Sequence, residues 1–414
     1  MEDRNKKSVQ QNMLFNTVGS LIYYICQWLM TVIIVRISGY EDSGILSIAM
    51  SVTAAPAIVG MFNIRSYQVS DMNGQYSDKT YIRSRMYTNL LSYIVCTLMV
   101  LMNGYNQYKA AVILVFMLFK VTEGFADVYY GIEQKWNRMD YAGISLTIRG
   151  IGSIAIFIGV LMITKNLLIC ILLMSIFSIA VVLLYDRRIV HKQSKEEEQK
   201  GLDEEGKKEV WSLLLTCLPL AVVAFLNNLS INIPKIYLEK FFDSEVMGYY
   251  SSVASPTVVI QLAATTIFAP LVPLLTLEYN QKNKSSFLAI VRKFALLVLG
   301  LSVVVLIGSK LLAHWGLVLL FGKSIEPYVY LFVPIIVISI LIAINASLFS
   351  ICTLLRIIKQ QYLIGVAGVV SAWLLSVTVV KSQSMIGVVW ALAGSLMIQI
   401  VIQLELIIRK VRKM

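Results

Sequence analysis

Six polar residues recur at helical spacing in an otherwise apolar stretch: Lys120, Glu123, Asp127, Tyr130, Gln134 and Arg138. Steps of three and four place all six on one face of a helix. A charge at the centre of a membrane helix costs about 2.5–3.5 kcal/mol on insertion scales, so this face cannot look at lipid. Two arrangements meet that cost. Lys120 and Glu123 can form a structural ion pair that packs two helices. Alternatively the stripe is the polar lining of a water-filled cavity. Asp127 and the residues after it lie near the end of the run, where solvent is another partner. Arg149, roughly 10 Å from the same end of the next run, either snorkels to that surface or joins the cavity.

A second group occupies another apolar run: Pro219, Asn227, Asn228, Asn232, Pro234 and Lys235. Each proline removes a backbone donor and clashes with the carbonyl four residues earlier. The run reads as a broken helix whose freed carbonyls and amides face protein or water, with a transport or gating role. Lys235 shares a helical face with Asn227 and Asn228.

Other chemistries find no support. The segment from Gly316 to Gly322-Lys323-Ser324 places five apolar residues between its glycines, where a phosphate-cradling P-loop needs four. His191 and His314 offer neither a metal cluster nor a catalytic triad. Cys26, Cys96, Cys170, Cys217 and Cys352 sit singly in apolar runs without CxxC spacing, so neither disulfides nor a zinc site is expected. The chain is expected to need no cofactor or metal and to catalyse no reaction of its own.

The elements that must position these residues follow from composition. Of 414 residues, 57% are hydrophobic and 14% charged, and the mean hydropathy is +0.74. Soluble domains hold roughly 45–50% apolar and about 25% charged residues. The expected class is therefore an all-α polytopic membrane protein, since a lipid-exposed backbone must close its own hydrogen bonds. Crossing hydrocarbon takes about 20 helical residues, and twelve runs qualify: 14–35, 43–62, 86–103, 110–130, 142–163, 166–185, 212–236, 247–269, 294–312, 328–349, 362–380 and 386–408. The first run follows Arg4, Lys6 and Lys7, is too long for a signal-peptide core, and is expected to remain as an uncleaved span. Leu311–Phe321 is apolar but short, and is expected to be interfacial or re-entrant.

With the N-terminus inside, about three-quarters of the lysines and arginines lie on the inner side. Both termini are thus expected to be cytoplasmic. The net charge of +12 belongs to those basic loops and to anionic lipid, not to nucleic acid. The expected division is a six-helix bundle over 1–185, a charged mobile cytosolic linker over 186–211, a second bundle over 212–408 and a basic tail over 409–414. Aligning the halves pairs Arg36 with Lys240, Glu41 with Glu245, Gly44 with Gly248, Ser47 with Ser251 and Ser51 with Ser255. Such a parallel repeat implies a pseudo-twofold axis along the membrane normal.

The stretch Lys120-x-x-Glu123-x-x-x-Asp127-x-x-Tyr130-Gly131-x-x-Gln134-x-x-x-Arg138-Met139-Asp140 resembles the bacterial polysaccharide transporter family. So do Arg36-Ile-Ser-Gly39-Tyr-Glu41-Asp42-Ser-Gly44, Pro219-Leu220 and Asn232-Ile-Pro234-Lys235-Ile-Tyr237. That family lies in the multidrug/oligosaccharidyl-lipid/polysaccharide exporter superfamily and flips lipid-linked oligosaccharides such as O-antigen units. The resemblance implies two six-helix bundles in a V about a cavity, alternating access, and an undecaprenyl-diphosphate-linked oligosaccharide as substrate at the bacterial plasma membrane. Polysaccharide polymerase and glycosyltransferases are the implied partners.

The residues fit that substrate. Lys120, Arg149 and Lys235 can meet a diphosphate, Asn227, Asn228, Asn232 and Asn345 can line a glycan path, and Glu123 or Asp127 can couple an ion. Lys235 departs from the family, where arginine is more usual, and gives up bidentate phosphate binding. A drug/cation antiporter of the same superfamily is the rival reading, but the first span holds no acidic residue. A flippase for peptidoglycan precursors or teichoic acid is the closer alternative.

Overall fold

A backbone that must satisfy itself in lipid has helix as its open choice here, and no strand occurs among the described residues of the computed structural model, which are 9–71, 74–193, 204–260, 268 and 271–412. The helices are α1 (Val9–Ser38), α2 (Tyr40–Met61), α3 (Ile64–Ser70), α4 (Asp78–Asn103), α5 (Gln107–Lys135), α6 (Met139–Thr164), α7 (Leu167–Val181), α8 (Arg187–Gln193), α9 (Glu204–Phe241), α10 (Ser244–Ala254), α11 (Leu271–Asn280), α12 (Lys284–Phe321), α13 (Phe332–Leu354), α14 (Ile358–Leu375) and α15 (Lys381–Arg412).

Nine helical stretches among the described residues are long and apolar enough to cross a membrane. The last of these, 358–412, holds two expected spans, and the backbone breaks inside it at Ser384 (φ 54°, ψ −131°). The polar α5 adds another crossing. The eighth expected span, 247–269, begins as α10, and its residues 261–267 lie outside the described residues. Eleven of the twelve expected crossings thus have a described helix, in keeping with an all-α polytopic membrane protein.

Short polar caps set many of the boundaries. The side chains of Asn106, Asn166 and Asp243 accept hydrogen bonds from the first-turn amides of α5, α7 and α10, as N-caps do. One residue, Gly39 at φ 91°, separates α1 from α2, a conformation glycine adopts without strain.

Two compact units emerge. Unit 1 holds the chain up to Ser38 together with Ile48–Phe225, and unit 2 holds Gly39–Ser47 and the chain from Leu226 onward. In unit 1, α1 lies along α6 at glycine contact distance: a Cβ on Gly19 would stand 2.2 Å from the Gly143 carbonyl oxygen. The first part of α9 also belongs here, burying Val210, Leu213 and Cys217 against Phe62, Ile64 and Tyr81. In unit 2, Phe287, Leu348, Ile351, Cys352 and Ile407 form an apolar core joining α12, α13 and α15.

Two expectations about single helices are corrected, and the linker and tail prove partly helical. Leu311–Phe321 is no re-entrant piece but the end of α12, whose 38 residues span about 57 Å at 1.5 Å per residue. Nothing before Gly322 (φ 90°) terminates it. The run with two prolines is not broken either, because α9 is continuous from Glu204 to Phe241. Within it Ser230 donates to the Asn227 carbonyl at 2.8 Å and Asn232 to the Asn228 carbonyl at 2.9 Å. Finally, the charged linker is helical over Arg187–Gln193 and again from Glu204, while its middle, 194–203, lies outside the described residues. Likewise the expected tail begins inside α15, which reaches Arg412.

Candidate functional site

Unit 1 carries two clusters in which a carboxylate meets two cations. In the first, Lys120 Nζ lies 2.8 Å from Glu123 Oε2, and the Tyr23 hydroxyl of α1 donates to Glu123 Oε1. Arg149 of α6 acts on the same carboxylate electrostatically and packs over the Tyr23 ring, 5.5 Å from its centroid. Its Nε donates to Ser178 Oγ at 3.0 Å and its Nη1 to the Tyr130 hydroxyl at 3.4 Å. Tyr130 is hydrogen-bonded to Ser145 at 2.9 Å, and Ser178 to Thr122 at 2.8 Å. Arg149 is 1% exposed. It neither snorkels nor lines an open cavity, because α1, α5, α6 and α7 enclose it. Lys120 is the accessible end, with its side chain 22% exposed and resting on the rings of Phe116 and Phe119.

The second cluster centres on Asp127. Arg65 Nη1 meets its Oδ1 at 3.2 Å and Arg85 Nη2 its Oδ2 at 2.9 Å. Arg85 is fully buried and also donates to the Gly60 carbonyl at 2.7 Å, while Arg65 reaches Gln134 at 3.1 Å. Asp127 is therefore a partner shared by two guanidiniums rather than a solvated group. In each cluster two cations face one carboxylate, leaving one positive charge over.

The stripe read from sequence thus divides. Lys120, Glu123, Tyr130 and Arg149 come together, Asp127 and Gln134 turn to α3 and α4, and Arg138 leaves the helix for a local pair with Asp140 at 3.1 Å. Arg65 and Arg85 are missed by hydropathy, which assigns both to the loop between the second and third spans. A signal was present: Tyr81, Arg85, Thr88, Asn89 and Ser92 repeat at helical spacing and line the buried face of α4.

In unit 2 the amides serve packing. Asn345 Nδ2 donates to Asn227 Oδ1 at 2.9 Å, and Gln403 Nε2 donates to Asn345 Oδ1 at 2.9 Å, so both ends of Asn345 are taken and the residue is fully buried. It ties α9, α13 and α15 together and faces no open cavity. Nearby, Gln399 donates to Ser230 at 3.3 Å, and Ser395 to the Gly368 carbonyl at 2.9 Å. Asn232 bonds back to Asn228. Lys235 is half-buried and has no hydrogen bond or ion pair among the described residues, which leaves its ammonium uncommitted.

The fold that holds these clusters is that of the MATE transporters. It superimposes on an inward-facing multidrug resistance MATE family transporter of the MOP superfamily with a TM-score of 0.68, at 10% identity over 97% of this chain and 98% of the other. The corresponding outward-facing structure gives 0.65, at 11% identity over 99% and 97%. At these identities the likeness concerns fold alone. Within that fold the chain belongs to the polysaccharide biosynthesis protein family, whose profile matches residues 9–277. It is also 29% identical over 317 residues to the capsular polysaccharide biosynthesis protein CapF of Staphylococcus aureus, covering 76% of this chain and 78% of that one.

Proposed function

We propose that this chain is a flippase that carries undecaprenyl-diphosphate-linked oligosaccharide across the bacterial plasma membrane by alternating access, with both termini in the cytoplasm, for capsule, O-antigen or another surface polysaccharide. The observation that carries this reading is the positive charge left over at the two clusters of unit 1. Lys120 and Arg149 face Glu123, and Arg65 and Arg85 face Asp127. A diphosphate headgroup is the kind of anion such a surplus attracts, whereas a cationic drug is repelled by it.

Lys120 is the contact residue. It is partly open, and its bond to Glu123 is one an incoming phosphate oxygen can replace without breaking the enclosed Arg149 network. Arg149 and Arg85, being buried, act on the headgroup through their field and hold the helices that present Lys120. Lys235 supplies a second cation, in unit 2. The lipid chain remains in the bilayer. No chemical step is required of the protein, and polymerase and glycosyltransferases act before and after it. Membership of a polysaccharide biosynthesis family supports this reading over drug export.

Surface glycan measured at matched protein levels tests it. Lys120→Ala should reduce display at least tenfold and Lys120→Arg should restore most of it. Full display from Lys120→Ala would remove Lys120 from the substrate path.

A further inference from the structure

Two carboxyl groups stand outside the network described above. Glu133, near the end of α5, and Asp186, which closes a π-helical turn (Val182–Asp186) between α7 and α8, are both fully buried in unit 1. Among the described residues none of their four oxygens has a hydrogen-bond partner at full bonding geometry, although the Ser145 hydroxyl lies close to Asp186, and neither forms an ion pair. They are near enough to act on each other electrostatically, beside the apolar cluster of Ala126, Tyr129, Ile132, Val182 and Val190. Both lie just past the inner ends of the spans read at 110–130 and 166–185. A π turn is an uncommon irregularity that concentrates at functional positions, and here it carries Asp186 to the buried side of its helix.

Desolvation and mutual repulsion both work against two charges here, and outweigh the Ser145 hydroxyl and the nearby arginines that favour the ionised forms. The two carboxyls titrate as a pair. We propose that Glu133 and Asp186 form a proton-binding site at the cytoplasmic end of unit 1, holding a proton at neutral pH and exchanging it with the inner side. Burial first, and then the charges of Asp186 and Asp140, push Glu133 up to about 9.

The surroundings favour a proton over a metal cation. Glu133 is faced by Arg65 from α3, by Arg138 and Asp140 from the start of α6, and by Tyr185 and Asp186 from the π turn. Asp186 is faced by Ser145 and Arg149 from α6 and by Tyr129 from α5. Three arginines repel a sodium ion but tolerate a neutral carboxylic acid.

The site also bears on cargo. Losing the proton adds a negative charge beside Arg149 and reduces the positive surplus that attracts a diphosphate. Proton release and release of the anionic headgroup then accompany one another. This last link rests on the flippase reading, whereas the proton site does not.

Infrared difference spectroscopy of the purified protein in lipid nanodiscs, between neutral and strongly alkaline pH, tests the site. The expected result is a protonated-carboxyl C=O band at neutral pH that disappears on alkalinisation. It should be lost in Glu133→Gln and weakened or shifted in Asp186→Asn, and it should be unchanged in Glu123→Gln. Glu133→Asp, which keeps the carboxyl, should retain the band at a shifted frequency and guards against misfolding of the amide variant. Absence of the band in the parent protein, its persistence unaltered in both amide variants, or its loss on adding sodium at constant pH would overturn the proposal. Binding of a diphosphate lipid to the same samples separates the two readings: the band without lipid binding faults the flippase assignment and leaves the proton site standing.

Discussion

Gly44 and Gly248 meet where α2 and α10 cross, with no room for a side chain on either. A Cβ on Gly44 would lie 1.6 Å from the Ser244 carbonyl oxygen, and one on Gly248 would lie 1.9 Å from the Tyr40 carbonyl oxygen. Each glycine thus meets the carbonyl four residues before the other, so the contact is locally twofold. All four residues belong to unit 2, because Gly39–Ser47 clusters there. The same pairing of Gly44 with Gly248 arises from aligning the two halves of the sequence. Aromatic rings flank the crossing: Tyr40 stacks on Tyr249 at 3.9 Å, Tyr249 lies 4.3 Å from Tyr328, and the Tyr40 hydroxyl donates to the Phe321 carbonyl at 2.9 Å.

Because the obstacle at this crossing is backbone, alanine cannot be absorbed by a rotamer change. Overpacking of this kind costs about 1–3 kcal/mol or more. Gly44→Ala and Gly248→Ala should each lower the thermal unfolding midpoint of the purified protein and reduce glycan export. Gly159→Ala, where a Cβ meets nothing within 4 Å, is the matched control and should leave both unchanged.

The Asp127 cluster separates buried from exposed charge. Asp127→Asn leaves the fully buried Arg85 without its counter-charge, and breaking a buried pair costs about 3–5 kcal/mol. Arg65, whose side chain is 32% exposed, should cost about 0–1 kcal/mol when replaced by alanine. Accumulation in the membrane, read by fluorescence-detected size exclusion, should therefore collapse for Asp127→Asn and persist for Arg65→Ala. Equal accumulation of the two would contradict the geometry.

Glu133 gives stability a signed pH dependence. Its folded-state carboxyl sits at about 9, against an ordinary value near 4.3, so between these limits the folded protein holds a proton that the unfolded chain has lost. Stability contributed by this group is present below the lower limit and declines as pH rises toward the upper one. Thermal midpoints measured from pH 5 to pH 8 should fall less steeply for Glu133→Gln than for the parent. A parallel decline would show that Glu133 is ionised in the folded state.

Much of this was legible in the residues. The helical class follows from composition, and the Lys120–Glu123 pair follows from spacing, since a face that lipid forbids must find a partner. Arg85 was hidden because hydropathy marks a charged stretch as loop, although burial of an arginine needs only one carboxylate and one carbonyl on neighbouring helices. Asn345 read as a cavity wall because its amide partners, Asn227 and Gln403, are 118 and 58 residues away, and no local pattern announces them. The prolines of α9 read as a break because each removes one bond to the carbonyl four residues earlier, whereas the backbone bonds on either side keep the helix continuous. That α2 and α9 each contribute to both units is a property of packing with no counterpart in periodicity.

The central claim, transport of an anionic lipid-linked glycan through a site that depends on Lys120, is tested most directly by reconstitution. Proteoliposomes holding a fluorescent undecaprenyl-diphosphate oligosaccharide are assayed for the fraction of glycan that crosses to the opposite leaflet, read by impermeant quenching. The account predicts transfer by the parent protein, at least tenfold slower transfer by Lys120→Ala, recovery in Lys120→Arg, and no uptake of a cationic dye. Transfer that is indifferent to Lys120→Ala, or uptake of the dye in place of the diphosphate lipid, would contradict it.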